Sequence, residues 1–385
     1  MYVRMMDCCT CLQAVRRRRN GARHDAIGMT DEEEEGEGGL GWPDDARAGS
    51  PKGEGAAADG QRLVDDRDLQ LSFSRFPSEG HLTEALVKKH TVVHRGVPLV
   101  PYVHQVAGHR FSEGKNGSLI DQRGKFYKPL PHGPRGHREV AFYERVYGTS
   151  AIAGSAQLWC HSRLREFLPV FFGAVSLVPG AGTGPVRYVV LGDQAFHYTT
   201  PSILDVKIGY QTWHPTESSD EHRERCMARD SATTSSRLGF KLCGMQVYVP
   251  TTASYWRAGK PACKKLRIEE VEPALRKFVT NGGSLLAADV LTGPRGLIAQ
   301  LQELHRFFKQ QSSYVFYSSS ILIMFEGSSA RGTDPSVSIR LVDFAHTYSS
   351  DAGSALESGA PADTNFIGGL EAFLGFLRRL VDACE

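Results

Sequence analysis

The sequence has none of the short signatures that mark the commoner nucleotide and metal enzymes. Across 385 residues there is no GxxxxGK[ST], and no GxGxxG at the end of a predicted strand. Those absences exclude P-loop and dinucleotide-binding enzymes but leave a kinase-like cleft open. HExxH is missing, and the clustered Cys8, Cys9 and Cys11 have no partner pair, which sets zinc chemistry aside. GxSxG is missing too, and Ser318 to Ser320 have no identifiable base partner, so a serine nucleophile is not expected.

Charge of one sign and long apolar runs are also scarce. A formal net charge of +2 is too small to argue for a nucleic-acid partner. No apolar stretch is long enough for a transmembrane helix, and no secretory leader is expected. The eight cysteines are scattered rather than spaced as a disulfide scaffold, which fits a reducing, intracellular compartment.

What is present begins with an N-terminal segment of biased composition. Arg16 to Arg19 form a basic patch, Asp31 to Glu37 an acidic run, and glycine- and alanine-rich sequence follows. Such a segment buries little apolar area against its ordering entropy, so residues 1–75 are expected to be disordered. The arginines read either as a nuclear-import or anionic-lipid patch or as a solvated tail.

Order is expected from about Leu99, after a poorly defined lead-in over 76–98. Two extended pieces flank a turn at Asp121 to Gly124, and Arg138 to Tyr147 follows as a helix with Val140, Tyr143 and Tyr147 on one face. Val186 to Asp193 reads as a buried strand. Ser218 to Asp230 reads as a polar helix, Leu238 to Val249 as a strand and Arg257 to Lys265 as a basic connector. Helices are expected at Val271 to Phe278 and Gly296 to Gln310, strands at Phe316 to Gly327 and Ser338 to His346, and an amphipathic helix over the terminal NFIGGLEAFLGFLRRLV.

The candidate chemistry lies in a few side chains. In PSILDVKIG, Asp205 and Lys207 are two apart on a predicted strand and so share a face, where they either serve phosphoryl chemistry or form an exposed ion pair on an edge strand. Asp343 ends the strand IRLVD, as a rigidly held Mg2+ ligand or as a turn former. Lys128 ends KFYK ahead of a helix carrying Glu139, as a phosphate-neutralising lysine held by that carboxylate or as a surface lysine. His109 and Gly114 to Gly117 border a phosphate loop or a plain turn.

Taken in order, PSILDVKIG, LGFKLCGMQVY, SSSILIMFEG and LVDFAH resemble the inositol polyphosphate kinase family. HQVAGH, LIDQRGKFYKPL, REVAFYE, DVKIGYQTWHP, LVDFAHTY and NFIGGL are most similar to its plant multikinase branch. The resemblance spans roughly residues 99–382. It implies an α+β, two-lobed fold distantly related to protein kinases, with a nucleotide-binding lobe over 99–195, an inositol phosphate and metal lobe over 196–385, and ATP between them.

The same resemblance implies ATP and Mg2+ as cofactors and assigns roles to residues. Lys128 would meet ATP phosphates with Glu139 as partner, Gly192 and Gln194 would present backbone groups to adenine, and Asp193 would hold the ribose. Asp343 would bind the metal, with Ser320 in its surroundings or merely capping backbone. Asp205 would orient or deprotonate the attacking hydroxyl and Lys207 would stabilise phosphoryl oxygens. Arg225, Arg229, Lys241 and His346 would bind the inositol phosphate, although the helix carrying the two arginines also bears Glu221 and Glu224 and reads equally as a solvated face.

The partners implied are soluble inositol polyphosphates acting on a monomer, with no nucleic acid required and with regulatory protein contacts through the tail, in nucleus and cytoplasm. Within the family a hexakisphosphate kinase or a dedicated trisphosphate 3-kinase is the rival activity, and a catalytically silent scaffold is the rival class.

Overall fold

A computed structural model describes residues 90–108, 116–148, 154–179, 184–349 and 363–382. The expected disorder of residues 1–75, the arginine patch and the His109 to Gly114 stretch lie outside the described residues.

Six antiparallel strands form the first sheet: β1 (Val92–His94), β2 (Val97–Pro101), β3 (Leu119–Ile120), β4 (Lys125–Pro129), β5 (Phe171–Leu177) and β6 (Val186–Gly192). Their spatial order is β1-β2-β3-β4-β6-β5. The sheet starts earlier than Leu99, because Arg95 and Gly96, at φ 50° and 76°, make a two-residue turn that pairs His94 with Val97. At the next hairpin Asp121 Oδ1 accepts from the backbone N–H groups of Arg123 and Lys125 at 2.8 and 2.9 Å, which fixes the turn and starts β4 in register. Helices α1 (Pro134–Tyr147) and α2 (Ser155–Phe167) connect β4 to β5.

The second sheet has the order β12-β11-β7-β8-β9 and is antiparallel throughout. Its strands are β7 (Pro201–Ile208), β8 (Phe240–Val249), β9 (Ser254–Ala258), β11 (Ser320–Glu326) and β12 (Ser338–Val342), while β10 (Tyr314–Phe316) pairs with β13 (Thr347–Ser349). β7, which carries Asp205 and Lys207, is the central strand, so the reading of an ion pair on an edge strand falls. Around this sheet stand α3 (Asp220–Ser231), α4 (Ile268–Val279), α5 (Leu297–Gln310) and α6 (Thr364–Asp382). The apolar stripe Leu297, Leu301, Leu304 and Phe308 of α5 and Phe366, Leu370, Phe373, Leu374 and Leu377 of α6 are buried in the main core. Among the described residues no helix is long and apolar enough to cross a membrane.

The helices expected from Arg138 and Val271 begin earlier, at Pro134 and Ile268, and three further boundaries change. The stretch Phe316 to Gly327 is two strands, because Ser318 at φ 57° breaks the extended run. The strand expected to reach His346 stops at Val342, where Asp343 turns into the left-handed region at φ 66°. The expected connector Arg257 to Lys265 instead contributes the end of β9 and a short helix, Lys260–Lys264.

The core runs from one sheet to the other. Phe142 and Tyr143 of α1 lie 4.3 and 5.3 Å from Phe344, between ring centroids, and Phe142 also meets Phe316 at 5.9 Å. Burying such rings contributes about 1.5–3 kcal/mol apiece. Phe344 follows Asp343 directly, so this aromatic plug fixes the segment on which Asp343 stands.

Candidate active site

Strand alternation sets the first cluster. On β4, Tyr127 packs into the outer core of the first sheet while Lys128 faces the other way. There its Nζ lies 2.7 Å from Glu139 Oε1 and 2.5 Å from Asp343 Oδ1. Glu139 is 1 % exposed, and α1 can hold a buried carboxylate there only because a cation meets it. Burial opposes the charge on Lys128, but Asp343 and then Glu139 outweigh it and hold the ammonium above its ordinary range. Three residues drawn from β4, α1 and the end of β12 thus converge.

The second cluster lies on β7. Asp205 is opposite Leu322 on β11 and Gly244 on β8; Lys207 is opposite Ser320 and Lys241. A bulge between Asp205 and Val206 leaves Cys243 as the extra residue on β8. Burial, and then the Asp343 carboxylate, push Asp205 up to about 6, against the help of Lys207. Asp205 Oδ1 and Ser320 Oγ are both buried without a hydrogen-bond partner. Two repelling carboxylates with orphaned oxygens beside them are suited to a divalent cation. Among the described residues no three carboxylate, thiol or imidazole groups cluster into a metal site complete by itself. Asp205, Asp343 and Ser320 would hold such an ion only in part, and its other ligands would have to come from outside these side chains.

A third group sets two imidazoles among the cations Arg135, Arg138, Lys207 and Lys241. His346 stacks on His222 of α3 at 5.7 Å, with an angle of 18° between the rings. Burial, followed by His222, Arg138, Lys207 and Arg135, pushes the His346 imidazole down to about 3. Arg138 is held by a 2.9 Å bond from its Nη1 to the Ala345 carbonyl and lies 4.5 Å over the Tyr348 ring. Burial chiefly, and Lys207 further, lower the Lys241 ammonium. The result is an anion-attracting wall beside the two carboxylates.

Of the expected substrate residues, Lys207, Lys241 and His346 belong to this region. Arg225 is exposed near Glu221, and Arg229 donates to Cys226 Sγ at 3.1 Å while that thiol meets His222 Nε2 at 3.4 Å. Arg135, Arg138 and His222 were not singled out in the sequence. Arg135 and Arg138 stand four and one residues before Glu139 in the helix, and the i, i+4 spacing offers a signal for Arg135 only once Glu139 is fixed as inward-facing.

Gly192, Asp193 and Gln194 lie where β6 leaves the first sheet. Gly192 N–H donates to Val170 O at 2.8 Å, its carbonyl accepts from Gln194 Nε2 at 2.7 Å, and Asp193 N–H donates to Gly124 O at 2.8 Å. Asp193 Oδ1 accepts from Ala195 N–H at 3.0 Å, and burial raises that carboxyl despite this bond. From the HQVAG segment, Val106 O sits 1.9 Å from where a Cβ on Gly244 would be. Only glycine lets this segment lie on β8, next to the residue facing Asp205.

A protein-family model described as inositol polyphosphate kinase matches residues 188–378. The chain is 34 % identical over 297 residues to inositol polyphosphate multikinase beta of Arabidopsis thaliana, covering 73 % of this chain and 93 % of that protein. It is 37 % identical over 296 residues to an inositol polyphosphate multikinase of Oryza sativa subsp. japonica, covering 74 % and 95 %. A solved structure of an inositol phosphate multikinase superposes with a TM-score of 0.50 at 30 % identity, over 63 % of this chain and 99 % of the other.

Proposed function

The chain belongs to the inositol polyphosphate kinase family, and on that premise we propose that it is a multikinase. It carries the ATP γ-phosphoryl group to the 6- and 3-hydroxyls of inositol tris- and tetrakisphosphates, ending at a pentakisphosphate. The observation that carries the reading is the convergence of Lys128, Asp205, Lys207 and Asp343, from two sheets, beside a cationic wall. Coverage of 93 % and 95 % of two plant multikinases supports that branch over its siblings.

In this reading 99–195 is the nucleotide lobe and 196–385 the inositol phosphate lobe. Lys128, steadied by Glu139, leaves Asp343 for the nucleotide phosphates. The turn at Gly192, Asp193 and Gln194 borders the adenosine. Since the Gly192 N–H is already committed to Val170, adenine would be met by the Gly192 carbonyl and the Gln194 backbone, and Asp193 would serve the ribose with the oxygen not bound to Ala195. Asp343, Asp205 and Ser320 fit a Mg2+ ion, which when bound neutralises nucleotide phosphate charge.

Asp205 accepts the proton of the attacking inositol hydroxyl as its oxygen bonds to the γ-phosphorus and the bond to the departing ADP oxygen breaks. Lys207 stabilises the equatorial phosphoryl oxygens during that exchange. Lys241, His346, Arg225 and Arg229, joined by Arg135, Arg138 and His222, hold the phosphates of the ring. A neutral His346 binds by hydrogen bond rather than by charge, which suits a wall that must admit the ring in more than one orientation.

The test incubates purified protein with ATP, Mg2+ and, separately, inositol tris-, tetrakis- and hexakisphosphates, and resolves the products. Pentakisphosphate from the first two is expected. Product only from the hexakisphosphate would assign the sibling activity, and no Mg2+-dependent product from any of them would remove the kinase reading.

A further inference from the structure

The terminal NFIGGL motif and the signature loop after Lys207 meet at one side chain, to which the proposed chemistry assigns no role. Asn365, in the first turn of α6, accepts with Oδ1 from the backbone N–H groups of Tyr210 and Gln211 at 2.8 and 3.0 Å. Its Nδ2 donates back to the Gln211 carbonyl at 3.2 Å. A Cβ on Gly209 would sit 2.5 Å from Asn365 Nδ2, and Gly209 has φ 117°, so the signature glycine leaves the space that this amide fills. The Gly209 N–H donates to Gly239 O at 2.7 Å, and Gly369 of α6 packs against that same carbonyl.

One residue further the loop is held again. Asp230, 3 % exposed at the end of α3, accepts from the Thr212 N–H at 2.9 Å and from its hydroxyl at 3.0 Å. Asn365 therefore ties the exit of the strand carrying Asp205 and Lys207 to α6, and Asp230 ties the next residues to the helix carrying His222, Arg225 and Arg229. Four residues, Gly209 to Thr212, are all that separate the clamped strand from its second anchor.

We propose that Asn365 and Asp230 are positioning residues that set the offset between the phosphoryl-transfer strand and the inositol-binding helix, and thereby which ring hydroxyl reaches Asp205. The inference rests on the kinase reading above and adds to it the control of regiochemistry. A loosened loop lets the ring settle in more than one register, and misplacement by about 1 Å is enough to change a rate by two orders of magnitude. Because both anchors lie on the inositol side, nucleotide binding is unaffected.

The experiment uses the full chain with an inositol trisphosphate that offers two acceptor hydroxyls, and reads KM for each substrate and the ratio of product isomers. Asn365→Ala is expected to raise KM for the inositol phosphate about tenfold, to shift the isomer ratio, and to move KM for ATP less than about twofold. Asn365→Asp keeps both acceptor bonds but sets a carboxylate oxygen against the Gln211 carbonyl in place of the Nδ2 donor, and is expected to restore the wild-type ratio only in part. If Asn365→Ala does not fold, Thr212→Val, which removes only the hydroxyl bond to Asp230, carries the same expectation. Wild-type isomer ratios in both Asn365→Ala and Thr212→Val, or equal rises in the two KM values with an unchanged ratio, overturn the proposal. A wild-type protein that turns over no inositol phosphate is a different result and removes the kinase reading beneath it.

Discussion

Replacing Lys128 by Met removes the cation between two carboxylates while keeping most of the side-chain volume. At 2.7 Å from Glu139, a unit pair at an effective dielectric near 20 attracts by about 6 kcal/mol. The desolvation of the ammonium offsets a large part of that, so the expected net loss is about 3–5 kcal/mol, the range for stranding a buried charge. Glu139, 1 % exposed, is the stranded group, whereas the partly exposed Asp343 still reaches water.

Urea denaturation of Lys128→Met, Glu139→Gln and the double variant separates these terms. Lys128→Met should unfold at clearly lower urea, and the double variant should recover more than half of the lost stability because no charge is then left buried. Turnover should be lost in both variants that lack the lysine, so stability and activity part company. The reasoning fails if Lys128→Met is as stable as wild type, or if Glu139→Gln adds nothing to the lysine variant.

Asp205→Asn should abolish turnover while stabilising the protein in EDTA above about pH 6. The folded carboxyl is raised to about 6 by burial and Asp343, so wild-type stability falls as pH rises from the unfolded carboxyl range through that value, and the Asn variant escapes the loss. The gap in urea midpoint should close by about pH 4, below which both side chains are neutral in either state; an equal gap at pH 4 and pH 7.5 refutes it. Gly244→Ala should push the HQVAG segment off β8, raising KM for ATP and costing about 1–3 kcal/mol, and an unchanged melting curve argues against the Val106 contact. Asp363→Ala removes the acceptor of Phe316 N–H at 2.6 Å and Phe366 N–H at 3.0 Å. A cost of about 2 kcal/mol is expected, and thermal unfolding within about 1 °C of wild type excludes it.

Elements with strong periodicity were legible from residues alone. The β-branched run of β7, the continuous apolar β6 and the stripes of α5 and α6 appear where their patterns predict. Less legible was SAQLWCHSRLREF, which forms α2 although Leu158 and Trp159 face outward, so its apolar residues do not mark one inner face. FFGAVSL, an edge strand with Phe172 half exposed and a register shift between Phe171 and Gly173, likewise lacks a clean alternation.

The site shows the same division. Lys128 and Asp343 could be chosen because each sits at a strand end, Asp205 because alternation along β7 sets it on one face with Lys207, and Glu139 because its helix follows the strand of Lys128. Arg138 and His222 escaped because their roles depend on how α1 and α3 lean on the segment after Asp343, a tertiary relation with no local signal. The left-handed turn at Asp343 was hidden for a related reason. A carboxylate residue at φ 66° is sustained by the Ser319 hydroxyl on its carbonyl and by the buried Phe344, not by its own preference.

Lys207 and Lys241 stand directly opposite one another on neighbouring strands, an arrangement that like charges oppose. An anion between them relieves that opposition, so whatever anion the wall accepts is also part of what keeps the chain folded. Such an anion is therefore expected to raise the urea midpoint of the native protein, since anything that binds the native state draws it away from unfolding. Two side-by-side lysines in this way make the stability of the fold depend on what fills the site.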